Sequence, residues 1–282
     1  MTILVSGGGY LFKAKAIRDI SEFEDAGFGY TIIYNVFVIK VLEEVGRAIL
    51  LTFWGLYFIL KKPPKFGHFL KQVAYLGSET VPVVVITSIF SGGVIALQTY
   101  STFHRFNAEF LIGAVVAISM GRELGPVLAS LMVVARVGSA MTANIGTMRI
   151  TEQIDALEVM GINPVSYLVS PRLFAGLVGV PMLVLISDIS GIFGGWFVAV
   201  KLFGVNEYLF WEKMRDITEL YDFIGGLYKA VFFGLVISAV SCYFGFYTSG
   251  GTEGVGRATT NSVVTSSMLI LISDYFLTAI IF

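Results

Sequence analysis

Five apolar stretches, near residues 76–100, 111–135, 173–200, 223–247 and 263–282, constrain this chain more than any other feature. Each reaches the length of about 20 residues that an α-helix needs to cross a bilayer at about 1.5 Å per residue. A helix satisfies its own backbone groups internally, which is what a hydrocarbon solvent demands. Composition agrees, since 56% of the 282 residues are hydrophobic and only 14% are charged. That leaves too little polar surface to clothe a soluble domain of this size. The expected fold class is therefore an all-α integral membrane protein. The 31 glycines of so apolar a chain indicate close helix–helix contact rather than flexible linkers.

Residues 1–37 read as a poorly ordered cytoplasmic tail. Lys13, Lys15 and Arg18 mix there with Asp19, Glu22, Glu24 and Asp25, without the apolar core of a signal peptide. Residues 38–282 read as one membrane domain. Its first segment, about 38–60, carries Lys40, Glu43, Glu44 and Arg47, and its uninterrupted apolar part is too short to span. An elbow helix lying in the membrane interface fits that pattern, ended by Lys61-Lys62-Pro63-Pro64-Lys65. Lys71, Arg149, Arg172 and Arg257 fall on the same side of the five spans as that basic run. The positive-inside bias then places the tail in the cytoplasm and Phe282 outside.

Four charges interrupt the spans. Arg122 and Glu123 stand near the middle of the second, Lys229 in the fourth and Asp274 in the fifth. Each would cost several kcal/mol facing lipid. Counting residues puts Lys229 and Asp274 roughly 9–12 Å below the outer surface and Arg122 and Glu123 roughly 17 Å below it. Lys229 and Asp274 are expected to face each other or a shared cavity. Two cations and two anions at similar depth make a neutral internal cluster, either glue between three helices or the lining of a substrate cavity. Asp188, midway along the third span, reads either as a structural hydrogen-bonding group against a neighbouring helix, the favoured reading, or as a substrate contact. Ser91-Gly92-Gly93 and Gly191-Ile192-Phe193-Gly194-Gly195 read as packing surfaces. No G-x-x-x-x-G-K-[ST] run exists, so the chain has no P-loop of its own. His68 and His104 fall on opposite sides of the membrane and cannot share a metal. The single cysteine, Cys242, cannot form an internal disulfide, and Ser139 has no partner histidine, so an enzyme is disfavoured.

Between the second and third spans, residues 149–161 carry a short acidic helix. Thr151 is placed to cap it with Glu152 in its first turn, and Ile154, Leu157 and Val159 alternate with Glu152, Asp155 and Glu158. Gly161-Ile162-Asn163-Pro164 stops it. It reads either as a docking element for a soluble partner or as a solvated connector.

Several separated motifs resemble the MlaE/YrbE family, permease subunits of ATP-binding cassette transporters that move lipid between bacterial membranes. Plastid lipid permeases and toluene-tolerance permeases look similar too. The matching runs are Arg122-Glu123-Leu124-Gly125-Pro126, Ala135-Arg136-Val137-Gly138-Ser139-Ala140, Glu152-Gln153, Ser170-Pro171-Arg172, Gly256-Arg257-Ala258-Thr259-Thr260 and Asp274-Tyr275-Phe276-Leu277-Thr278-Ala279. The resemblance covers about residues 41–282. It implies a two-fold permease dimer with an elbow helix and five spans, a cytoplasmic ATPase that binds ATP and magnesium, and a periplasmic MCE-domain ring. In some systems it implies a STAS-type regulator. It also implies that Arg122, Glu123, Lys229 and Asp274 line a phospholipid cavity with Gln98 and Tyr100 near its outer end. Arg149, Glu152, Gln153, Asp155 and Glu158 would belong to the coupling helix that meets the ATPase. Two rivals stand beside this reading. One is a secondary transporter with Glu123, Asp188 or Asp274 as proton carriers, and the other a membrane scaffold for an MCE protein.

Overall fold

The computed structural model describes residues 28–61, 73–74, 77 and 80–282. Most of the expected tail and the basic run from Lys62 to Lys71 lie outside the described residues. The described residues fall into two units that divide between Leu50 and Leu51. Helix α1 runs Phe28–Lys61, starting earlier than the elbow expected near residue 38. No proline interrupts that stretch, and Ile32, Ile33, Val36 and Phe37 repeat at helical spacing. In the first unit Arg47 pairs with Glu43 one turn away at 2.5 Å, and Leu42, Val45 and Ile49 are exposed.

The second unit holds helices α2 (Val81–Phe103), α3 (Glu109–Ile150), α4 (Gln153–Val159), α5 (Val165–Leu202), α6 (Glu207–Ile217), α7 (Leu220–Phe246) and α8 (Gly251–Ile281). Five of these, α2, α3, α5, α7 and α8, are long and apolar enough to cross a membrane. No strand occurs among the described residues. The protein is an all-α, multi-pass integral membrane protein.

The helices outrun their apolar cores. α3 continues to Ile150 instead of stopping near residue 135, and α8 begins at Gly251 instead of near 263. Hydropathy marks where lipid contact is favourable, whereas the hydrogen-bond ladder continues until a breaker stops it. α6 occupies the connection between α5 and α7. Asn206 caps it, its Oδ1 accepting from the backbone N–H of Tyr208 at 2.9 Å and of Leu209 at 3.3 Å.

Glycine sets the spacing of the bundle. A side chain at Gly92 of α2 would collide with the carbonyl of Gly191 on α5, so these two backbones touch. α3 and α7 meet in the same way, Gly226 lying against the carbonyl of Gly121. Buried hydroxyls add further links, Ser88 to Ser187 at 2.8 Å between α2 and α5 and Thr142 to Ser262 at 2.9 Å between α3 and α8. Outward-facing Phe90, Ile189 and Tyr275 are more than two-thirds exposed, as expected where lipid replaces water.

Candidate functional site

Pro126 organises the site. It carries no backbone N–H, so within α3 it leaves the carbonyl of Arg122, four residues earlier, without its usual donor. The ladder adjusts by a π-turn over Met120–Leu124, closed by the Gly125 N–H on the Met120 carbonyl. Lys229 of α7 then fills the gap. Its Nζ donates to the Arg122 carbonyl at 2.9 Å, to Glu123 Oε2 at 2.9 Å and to Thr278 Oγ1 at 2.7 Å. Asp274 Oδ1 of α8 stands 3.0 Å from the same nitrogen. An ammonium has three protons, and here all are engaged around a side chain with no exposure.

Arg122 turns the other way. Its Nε and Nη2 both meet Asp222 Oδ1, at 2.8 and 2.6 Å. Asp222 is held from behind, because Oδ2 accepts the Glu219 N–H at 3.0 Å in the capping box that opens α7. The Phe282 ring lies 4.5 Å from the guanidinium carbon, a cation–π contact. Tyr221 ties down that end of α8 by donating to the Ile281 carbonyl at 2.8 Å. Thr278 Oγ1 lies 3.1 Å from Glu123 Oε1 and 2.7 Å from the Asp274 carbonyl, joining α3 to α8.

The four charges picked from the sequence thus come together, and two partners were missed. Asp222 sits in a first helical turn, where a carboxylate is commonplace, and only the Glu219-x-x-Asp222 spacing hinted at its double duty. Thr278 carries no charge and stood out only as part of the matching run from Asp274 to Ala279, although it lies one turn beyond Asp274. Gln98 and Tyr100 do not join the cluster. Gln98 is exposed on α2, and Tyr100 stacks on Phe203 at 4.1 Å and on His104 at 5.2 Å between centroids. His104 also pairs with Glu109, while His68 lies outside the described residues.

Two expectations need correction. Asp188 is 3% exposed, yet neither carboxylate oxygen has a hydrogen-bond partner among the described residues, so it is not the expected structural link. It packs against Gly125 just after the π-turn, where a glycine leaves room for a carboxylate but offers no free donor. Thr151 does not cap α4 either. It ends α3, with Oγ1 bonded to the Thr147 carbonyl at 2.8 Å, and Glu152 takes the N-cap position in a left-handed conformation, φ 57°. Arg149 belongs to the last turn of α3 and pairs with Asp155 at 2.6 Å, while Gln153 bonds to Thr151 at 3.0 Å. Ile154 is fully buried, and Glu158, Val159 and Met160 are exposed beside it.

The profile of the family described as Permease MlaE matches residues 69–280, which include every member of the cluster. The chain belongs to the MlaE permease family. It is a membrane permease and not an enzyme. The "Intermembrane phospholipid transport system permease protein MlaE" of Haemophilus influenzae is 37% identical over 249 residues, covering 87% of this chain and 94% of that protein. A "Probable ABC transporter permease protein" of Rickettsia typhi is 45% identical over 244 residues, 86% of this chain and 94% of its own length. Protein TRIGALACTOSYLDIACYLGLYCEROL 1, chloroplastic, of Arabidopsis thaliana is 34% identical over 224 residues, 79% of this chain and 64% of that protein. In this MlaE-family permease the exposed members of the cluster are Arg122 and Glu123, with side chains 37% and 38% accessible. Lys229 is not among them. Its protons are bonded inside the protein.

Proposed function

We propose that this chain is the transmembrane subunit of an ATP-driven phospholipid transporter of the bacterial inner membrane, exchanging lipid with a periplasmic MCE-domain protein. The observation that carries the reading is the half-exposed Arg122, a preoriented guanidinium in the membrane-embedded part of a family whose Haemophilus relative is named for phospholipid transport. A guanidinium is the side chain best shaped to take a phosphate. Two copies of the chain would enclose the lipid cavity, with the tail in the cytoplasm and the Phe282 end in the periplasm. A separate ATPase would bind ATP and magnesium and dock on α4, and a STAS-type regulator would join in some assemblies. Closure of the ATPase would move α4, and α3 and α5, which flank it, would pass that motion to the cavity. Gln98 and Tyr100 would lie toward the cavity mouth. Arg149, Glu152, Gln153, Asp155 and Glu158 would form the docking surface.

The test is reconstitution. The purified chain in proteoliposomes should hydrolyse no ATP and move no lipid until its ATPase is added. ATP hydrolysis by the chain alone would overturn the reading. Lipid movement driven by a proton gradient without the ATPase would favour the secondary transporter, with Glu123, Asp188 or Asp274 carrying the proton. Assembly with an MCE protein but no transport under any condition would favour the scaffold.

A further inference from the structure

The cluster is not the neutral group of four that the sequence suggested. Asp222 adds a third carboxylate, so Glu123, Asp222 and Asp274 face only two bases, Arg122 and Lys229. The excess acid has a definite place. Asp222 is engaged by Arg122 and is 2% accessible, whereas Glu123 and Asp274 share the single ammonium of Lys229. Glu123 is also the most open of the three, at 38% against 17% for Asp274. Surplus negative charge therefore lies on the accessible side of the cluster, next to Arg122. Such a charge is strongly unfavourable at membrane depth unless a cation meets it.

Arg122 offers the complementary half. Asp222 occupies Nε and Nη2, and Phe282 lies over the guanidinium, which leaves Nη1 with no hydrogen-bond partner among the described residues. The Phe282 ring lies 4.5 Å from the Arg122 guanidinium carbon and 5.8 Å from Lys229 Nζ, which bonds Glu123, so the guanidinium and the pair holding the under-compensated carboxylate lie against one ring. We propose that this site selects phospholipids whose head group carries a protonated amine next to the phosphate. The phosphate meets the free edge of Arg122, and the ammonium meets Glu123 with Asp274 behind it. An ammonium donates three hydrogen bonds and neutralises the surplus charge, whereas an anionic head group adds to that surplus. Asp222 and Phe282 act as positioning residues that hold the guanidinium with one edge free. The inference rests on the phospholipid reading and narrows it to a head-group class.

The experiment is native mass spectrometry of the full chain released from micelles holding equal amounts of phosphatidylethanolamine and phosphatidylglycerol with the same acyl chains. The wild type should retain the amine-headed lipid several-fold over the anionic one. Glu123→Gln should bring the two toward parity by weakening retention of the amine-headed lipid. Phosphatidylcholine, whose quaternary ammonium has no protons to donate, should fall between them. Equal retention by the wild type would mean that a proton or a small cation meets the surplus charge, and that result overturns the proposal. So does an anionic preference, or a preference unchanged in Glu123→Gln. Should that variant not fold, the wild-type comparison still decides the matter. A chain that retains no phospholipid at all would instead bring down the transport reading on which the inference stands.

Discussion

Lys229 Nζ lies 2.9 Å from the carbonyl oxygen of Arg122, the acceptor that Pro126 leaves without its helical donor. A break in the ladder of one span is thus closed by a lysine from another. The same nitrogen neutralises Glu123 on α3 and approaches Asp274 on α8, so three helices converge on one ammonium. A buried charge with every proton matched is a structural joint. That separates Lys229 from Arg122, which is held by Asp222 yet remains accessible.

Lys229→Met should be the most damaging single change in the cluster. It strands Glu123, Asp274 and the Arg122 carbonyl together, and breaking a buried pair costs roughly 3–5 kcal/mol. Asp274→Asn should be milder, because Lys229 keeps Glu123. The double change should recover only part of the loss, since Glu123 remains without its cation, and adding Glu123→Gln should recover more. Thermal unfolding in detergent reads all four proteins. Full recovery in the double variant would show that Glu123 is not a partner of Lys229 in the folded protein.

Substitution of the interhelical glycines should separate packing from propensity. Gly92→Ala places a methyl group against the Gly191 carbonyl, and overpacking of this kind costs roughly 1–3 kcal/mol. Gly256→Ala on α8 meets nothing within 4 Å and should be neutral or stabilising by about 0.5–1 kcal/mol. The unfolding midpoint should fall in Gly92→Ala and hold or rise in Gly256→Ala. If both fall alike, glycine is not setting the distance between α2 and α5.

The sequence made some of this legible for a definite physical reason. Charges are so costly in lipid that Arg122, Glu123, Lys229 and Asp274 announce themselves, and helix geometry alone sets their depth. The same logic is silent on Asp222, because near a helix terminus a carboxylate needs no special explanation. It is silent on Thr278, because a hydroxyl can satisfy itself on its own helix. Asp188 misled the reasoning in the other direction: burial was read correctly, but burial does not guarantee a donor. Helix ends were the least legible feature, since the polar stretches that continue α3 to Ile150 and start α8 at Gly251 look like loops to a hydropathy argument. Thr151 has the residue type of a cap, and only the backbone reveals that Glu152 holds the position.

Ala156→Pro should uncouple the protein without unfolding it. Ala156 N–H donates to the Glu152 carbonyl at 3.0 Å, and proline removes that bond and crowds the same carbonyl. The local cost is about 3 kcal/mol in a helix of seven residues, which is enough to melt α4. The spans keep their own backbone bonds and should still assemble. Recruitment of the ATPase in a pull-down should be lost while the unfolding midpoint of the membrane domain stays close to wild type. Normal recruitment with full transport would make α4 a connector only.

Asp222→Ala should impair lipid retention even though it leaves Arg122 in place. The change removes the acceptor for Arg122 Nε and Nη2 and also the acceptor for the Glu219 N–H. Loss of the cap alone costs about 1 kcal/mol. The larger consequence is that the guanidinium is no longer held in one plane, so its free edge is not presented to a phosphate. Phe282→Ala keeps the ion pair and removes only the ring, so its effect on lipid retention should be smaller and its effect on stability slight. Arg122→Lys keeps the charge, but a lysine has no planar fork to bridge Asp222 and a phosphate at once, and it should resemble Asp222→Ala rather than wild type. Native mass spectrometry of retained phospholipid, read beside the unfolding midpoint, checks the order. Undiminished retention in Asp222→Ala at a lowered midpoint would show that Asp222 caps α7 and does nothing for Arg122.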